Sequence, residues 1–320
     1  MTGTGITAWQ VGAVVAQVAL CVLGAPFLVG LMRTVRCRLE GRTGPPVRQT
    51  WRDLRKLLRK QRTQPEKSSV IFAVAPVVLV ATTLVVVAFA PLLSTGTVFP
   101  GGSDLFAIVF LLLLGSVLLA LAALDTGTAF GGMGASRLMA IVALAEPALL
   151  VAILALAAPV HTSSLPMIVA GSLHHPMWLA TPQRILAFGA FVIVILAESG
   201  RLPVDNPATH LELTMIHEAL MLEYSGPDLA FVVLGESLRL LVLLALLSNL
   251  FFPWGIATTL TGPSFVVAIV SLAAKVALLA TLVAVGEVMV AKLRLFRVPE
   301  LLAGAFVLSV LAVLSSLVIA

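Results

Sequence analysis

Cysteine is almost missing from this chain of 320 residues: Cys21 and Cys37 are the whole complement, and they lack C-x-x-C spacing. An iron–sulfur cluster takes about four thiolates, so redox chemistry within the chain is disfavoured. Cys21 reads as a small apolar residue and Cys37, between Arg36 and Arg38, as a passive loop thiol. Charge is scarce as well. Asp, Glu, Lys and Arg together make up 11% of the residues against 60% apolar, with a mean hydropathy of +1.10, which excludes an ordinary soluble domain. A glycine-rich phosphate loop, a nucleophile motif, alternating β patterns and the internal repeat of many transporters are all lacking. His174 and His175 are adjacent, diverge on any regular element, and have no Asp, Glu or Cys beside them to complete a metal site.

What remains is an all-α integral membrane protein. A helix needs about 20 apolar residues to cross a hydrocarbon core of ~30 Å. Eight stretches qualify, roughly Ala8–Met32, Val70–Leu93, Leu105–Leu124, Leu138–Ala158, Arg184–Ser199, Leu229–Phe252, Ser264–Val288 and Leu301–Ala320. Residues 161–183 are apolar but interrupted by Pro166, Gly171, Pro176 and Pro182, the pattern of an interfacial or re-entrant loop. The longest polar stretch runs only from Arg33 to about Ser69, so residues 1–320 form a single polytopic domain with connecting loops near 33–69, 125–137, 200–228 and 290–300.

Basic residues set the orientation. Twelve of the twenty lie between Arg33 and Lys67, and with eight crossings Arg137, Arg201, Lys292, Arg294 and Arg297 fall on the same side. The opposite connections carry no Lys or Arg, which places the basic loops in the cytoplasm and both termini outside the inner (plasma) membrane. The first span lacks a charged leader region and is followed at once by Arg33, so it is expected to be retained as an anchor. The net charge of +5 is therefore a topology signal and does not point to nucleic acid. Within the basic loop Val47, Trp51, Leu54, Leu57 and Leu58 recur at helical spacing opposite Arg48, Arg52, Arg55, Lys56, Arg59 and Lys60. That is an amphipathic helix in the headgroup plane, serving either as a topology anchor or as a docking surface.

Against this oily background the stretch PVDNPATHLELTMIHEALMLEYSG, residues 203–226, gathers Asp205, Glu212, Glu218 and Glu223 with His210 and His217. Pro207 suits the first turn of a helix and Gly226 its exit. Eleven residues separate Glu212 from Glu223, about three turns, so the two share a face, and His210 and His217 share another. A solvated surface helix would account for this much. Other charges argue for more: Glu146, Glu236, Arg239, Lys275 and Glu287 interrupt apolar spans, while Asp125 and Glu198 lie near span ends. Each charge at mid-bilayer costs roughly 2.5–3.5 kcal/mol. Glu236 and Arg239, three apart, are expected to offset that cost by pairing, whereas Glu146 has no basic neighbour in sequence. Carboxylates kept in such places mark an ion pathway.

The stretch AESGRLPVDNPATHLELTMIHEALMLEYSG (197–226) resembles the membrane subunit shared by respiratory complex I, its subunit 1, and the membrane-bound nickel–iron hydrogenases. DNPATHLELTMIHE is similar to the hydrogenase branch, that of formate hydrogenlyase subunit 4 and hydrogenase-4. LEGRTGPPVRQTWRDLRKLL (39–58), ALDTGTAFGGMGASR (123–137) and AKLRLFRVPELL (291–302) resemble the family's first, glycine-rich and final cytoplasmic loops. The resemblance implies a non-catalytic helical platform that seats a peripheral electron-transfer arm and contributes to a proton path. Carried onto this chain, it implies an acidic track of Glu198, Asp205, Glu212 and Glu223 with Glu146 as its buried member, and Arg42, Arg48 and Arg201 facing the arm. Glu218, Asp125, Glu236, Lys275 and Glu287 join the candidate path as further ionisable groups in or beside the spans. The implied partners are hydrogenase large and small subunits, an iron–sulfur subunit and antiporter-like membrane subunits. A nickel–iron centre and iron–sulfur clusters are implied in those partners and no cofactor in this chain. The loop around THLELTMIHEALMLEYSG is longer than the complex I form and lacks its denser glutamates, a departure away from a quinone site.

Overall fold

A computed structural model describes residues 8–66, 68–96, 102–175, 181–202, 204–205, 216–259, 261–290 and 297–319. Eleven α-helices are found among them: α1 (Ala8–Leu39), α2 (Gln49–Leu57), α3 (Val70–Phe89), α4 (Leu105–Asp125), α5 (Ala129–Ala157), α6 (Leu165–His174), α7 (Pro182–Glu198), α8 (His217–Met221), α9 (Gly226–Phe251), α10 (Gly262–Met289) and α11 (Val298–Ile319). No strand occurs among the described residues. Seven helices are long and apolar enough to cross a membrane: α1, α3, α4, α5, α9, α10 and α11. The eighth expected span corresponds to α7, which has 17 residues.

Helix α9 is the axis of the bundle. Every residue from Ser237 to Phe251 is buried, and α1, α3, α7 and α10 pack around it. A helix apolar on all sides belongs in such an interior. By contrast, α10 buries one narrow stripe, Ala268, Leu272, Val276, Ala280, Ala284 and Glu287, spaced three or four apart. Its other faces are apolar and exposed, as Val266, Val270, Leu278 and Leu282 show, which suits contact with lipid.

Several element ends differ from those read in the sequence. Helix α5 begins at Ala129, because Thr128 caps it by accepting from the Gly131 amide at 3.2 Å, so most of the glycine-rich stretch 125–137 is helix and not loop. Helix α1 runs past Met32 to Leu39, carrying Arg33, Arg36 and Arg38 on its last turns. Inside 161–183, Pro166 occupies the first turn of α6, where its missing N–H costs nothing. The helix expected to run from Pro207 to Gly226 is different at its end: α8 stops at Met221, and Gly226, with φ +54°, opens α9. Its earlier part, with Glu212 and His210, lies outside the described residues.

Pro76 inside α3 frees a carbonyl that a side chain then satisfies. Pro76 has no N–H for the Phe72 carbonyl one turn back; the Tyr224 hydroxyl donates to that carbonyl at 3.2 Å while its ring stacks on Phe72 at 4.2 Å. At the end of the bundle away from the basic loops, Asn249 donates to the Pro91 and Leu92 carbonyls at 3.0 and 2.8 Å. Gln17 donates to the Val87 and Ala90 carbonyls at 2.5 and 3.0 Å. In apolar surroundings such orphan carbonyls would otherwise be costly.

Candidate functional site

Three helices bring the buried charges together. Glu146 sits on α5 beside Pro147, Glu198 is the last residue of α7, and Arg239 lies in the buried run of α9. All three are 4–5% exposed. The Arg239 Nη2 donates to Glu146 Oε1 at 3.1 Å and also to Glu198 Oε2, while its Nη1 donates to the Leu112 carbonyl of α4 at 3.1 Å and to the Ser116 hydroxyl. The pairing expected between Glu236 and Arg239 is replaced by these cross-helix bonds. The guanidinium has turned inward, where two carboxylates and a helix carbonyl satisfy it better than one neighbour at the edge of a cavity. Its Nε, Glu146 Oε2 and Glu198 Oε1 are buried with no hydrogen-bond partner.

Toward the basic loops lies a polar chamber of about 270 Å³. Its walls come from α1 with Arg33 and Arg36, from the segment after α7 with Arg201 and Asp205, from α8 with His217 and Glu218, from α9 with Glu236 and from α10 with Glu287. Asp205 is buried, and its Oδ2 accepts from the Ile216 amide at 3.2 Å, tying the two ends of the intervening stretch together. Arg201 Nη1 donates to Glu287 Oε1 at 3.3 Å, and Glu287 Oε2 has no hydrogen-bond partner. Burial pulls Arg201 below the ordinary arginine range, and Glu287 pushes back.

A smaller cavity of about 10 Å³, room for roughly one water, separates chamber from cluster and is lined by Glu198, Arg239, Ser116, His217 and Glu236 among others. His217 and Glu236 line both spaces. Gly200 makes this contact possible. It holds φ +57°, and a Cβ there would sit 2.5 Å from His217 Nδ1, so glycine suits the position twice over.

The candidate residues of the sequence thus divide by place. Glu146 and Glu198 form the cluster with Arg239, Glu236 stands at its edge, and Asp205, Glu218, Glu287 and Arg201 line the chamber. Asp125 is elsewhere, accepting from the Ser69 amide at 2.6 Å where α3 begins. Glu223 lies in the turn between α8 and α9, half-buried. Lys275 is at the far end, donating to Asn249 Oδ1, the Phe252 carbonyl and the Trp254 carbonyl at 2.8, 3.0 and 3.1 Å. Those three acceptors use all three ammonium hydrogens, and the ammonium charge opposes the negative carboxyl end of α9. Arg48 precedes α2 and is exposed; Arg42 is exposed and bound to Glu40, whose carboxyl it and Arg36 hold below the ordinary glutamate range. Helix α2 itself buries Thr50 and Leu54, with the Trp51 indole donating to the Leu23 carbonyl of α1 at 3.1 Å. Among the described residues no group of three or more His, Cys, Asp or Glu could hold a metal ion.

Sequence reasoning passed over Arg239 as a hub and His217 as a boundary. Arg239 was visible as a charge in an apolar run; its partners, 41 and 93 residues away, were not.

A helical bundle with an ion cluster at its axis and a charged chamber at its basic end is the architecture of a membrane-embedded protein with ionisable groups in its interior. The family model "NADH dehydrogenase" matches residues 11–319, and the chain belongs to that family, which is that of complex I subunit 1. It is 32% identical to hydrogenase-4 component C of Escherichia coli (strain K12), covering 93% of each chain. It is also 32% identical to formate hydrogenlyase subunit 4 of the same strain, covering 92% of this chain and 94% of that one. An NADH-quinone oxidoreductase subunit of Syntrophobacter fumaroxidans (strain DSM 10017 / MPOB) shares 32% identity over 73% of each chain. In fold it is similar to a chain of the membrane-bound sulfane sulfur reductase, an archaeal respiratory membrane complex, with a TM-score of 0.80 at 20% identity, covering 96% of this chain and 99% of that one.

Proposed function

We propose that this chain is the non-catalytic membrane subunit that seats the electron-transfer arm of a nickel–iron hydrogenase complex, of formate hydrogenlyase kind, and carries the entrance of its proton path. One observation supports the reading above the others: two glutamates share one arginine inside the bundle, one small cavity away from a chamber lined by carboxylates and arginines. With both carboxylates ionised the cluster has a net charge of minus one, and one bound proton makes it neutral. Buried charge is expensive unless balanced, so the cluster is suited to hold and release a single proton. In this reading the basic loops are cytoplasmic, both termini are outside the plasma membrane, and Arg42 and Arg48 face the arm. Hydrogenase large and small subunits and an iron–sulfur subunit supply the nickel–iron centre and clusters, and antiporter-like subunits continue the path through the membrane.

The test uses the complex isolated through a tag on this chain and placed in vesicles. Glu146→Gln and Glu198→Gln should keep hydrogen evolution from reduced viologen while protons moved per electron fall; Lys275→Met should leave that ratio unchanged. Unchanged ratios in both glutamate variants would remove the path, and isolated material without nickel would remove the hydrogenase. The chamber, together with the likeness to an NADH-quinone oxidoreductase subunit, favours a second reading as a quinone-site subunit. A photoreactive quinone analogue would then label the protein near Trp51 and Arg201.

A further inference from the structure

The chamber and the buried cluster are separate spaces, and among the described residues only His217 and Glu236 belong to the walls of both. On the inner side the small cavity presents Glu198, which is 5% exposed and has an oxygen without a partner, and Arg239. On the outer side stand Asp205, Glu218, Arg201 and Glu287. The two boundary groups differ in what they can do. Glu236 belongs to α9, a long packed helix, whereas His217 opens the five-residue α8. Its Nδ1 is buried with no hydrogen-bond partner, against the open backbone of Gly200. An imidazole carries two nitrogens that point in different directions from one ring, so it can receive on one and release from the other in a single step.

We propose that His217 is the proton hand-over residue between the charged chamber and the Glu146–Arg239–Glu198 cluster. This rests on the proton-path reading above. In one pass, one ring nitrogen takes a proton from the chamber while the other gives its own to the Glu198 carboxylate across the small cavity. One proton has moved, no electron has, and the ring keeps its charge in its other tautomer; reorientation of the side chain about Cα–Cβ and Cβ–Cγ then turns the nitrogen that now carries the proton toward Glu198. Gly200 is the positioning residue, since any side chain there would push the ring away.

The experiment compares His217→Ala and His217→Gln in the vesicle-reconstituted complex, with Glu146→Gln beside them. Proton movement per electron should fall about 100-fold in both histidine variants, the low end of losses on removing a proton-transfer group, while viologen-linked turnover persists. Added imidazole should restore proton movement in His217→Ala, which has space for it, and not in His217→Gln, whose amide keeps the site filled. A packing role would not respond to imidazole. Full proton movement in His217→Gln, or no imidazole rescue of His217→Ala, overturns the proposal. If Glu146→Gln is blocked while the histidine variants pump normally, only the hand-over role falls; if all three pump normally, the path itself falls.

Discussion

Arg239 is the residue on which the interior depends. Removing one partner of a buried ion pair leaves an uncompensated charge and costs about 3–5 kcal/mol, whereas replacing the whole group by neutral residues is far cheaper. Arg239→Met should therefore lower the unfolding free energy of the detergent-solubilised chain by about 3–5 kcal/mol, and Arg239→Met combined with Glu146→Gln and Glu198→Gln should recover most of it. Thermal unfolding of the single, triple and natural proteins checks both outcomes. The identity of these residues was legible in the sequence, because a charge within an apolar span stands out. Their grouping was not. It depends on the rotation of α5, α7 and α9 about their own axes, and the local rule that residues three apart can pair chose Glu236 over partners from other helices.

At the scale of elements, the helices are kept whole by groups borrowed from their neighbours. The Phe72 carbonyl, freed by Pro76, is closed by Tyr224 from beyond α8. Tyr224→Phe should cost about 1 kcal/mol in the natural chain and distinctly less when Pro76→Ala restores a helical N–H. A double-mutant cycle on thermal unfolding measures the difference, and an equal loss in both backgrounds would show that the hydroxyl serves something else. The same burial, with Asp228 and Asp125 nearby, raises the Tyr224 phenol above its ordinary range, so it remains a donor throughout physiological pH. Spans were readable because length and apolarity suffice to define them. Their ends were less so: α5 begins nine residues before Leu138, since the apolar run marks only the apolar part of the helix while the Thr128 cap sets its start. Likewise the gap between α8 and α9 escaped notice because Gly226 is as well suited to opening a helix with positive φ as to closing one.

For the whole molecule, the basic loops predict which side faces the cytoplasm, and the two cysteines report on it. Cys37 is partly exposed beside the basic end of α1, while Cys21 is buried. A membrane-impermeant maleimide should label the chain once, at Cys37, in inverted membrane vesicles and leave it unlabelled in right-side-out ones. Labelling of right-side-out vesicles would reverse the orientation, and Cys37→Ser should abolish the signal in either case. The expected orientation rests on a sum over many residues, which no single packing contact can overturn, and the labelling tests it.

Helix α7 is shorter than the seven helices long enough to cross a membrane. Its seventeen residues extend about 25 Å, less than the ~30 Å of hydrocarbon, and its last residue, Glu198, lines the small cavity next to the charged chamber. On the proposed path, a water-filled chamber would carry the aqueous potential inward and leave the membrane voltage to fall mainly across the remaining thickness. An ion reaching Glu198 along that path would have travelled far in distance and little in voltage, with the electrical work left to whatever lies beyond it.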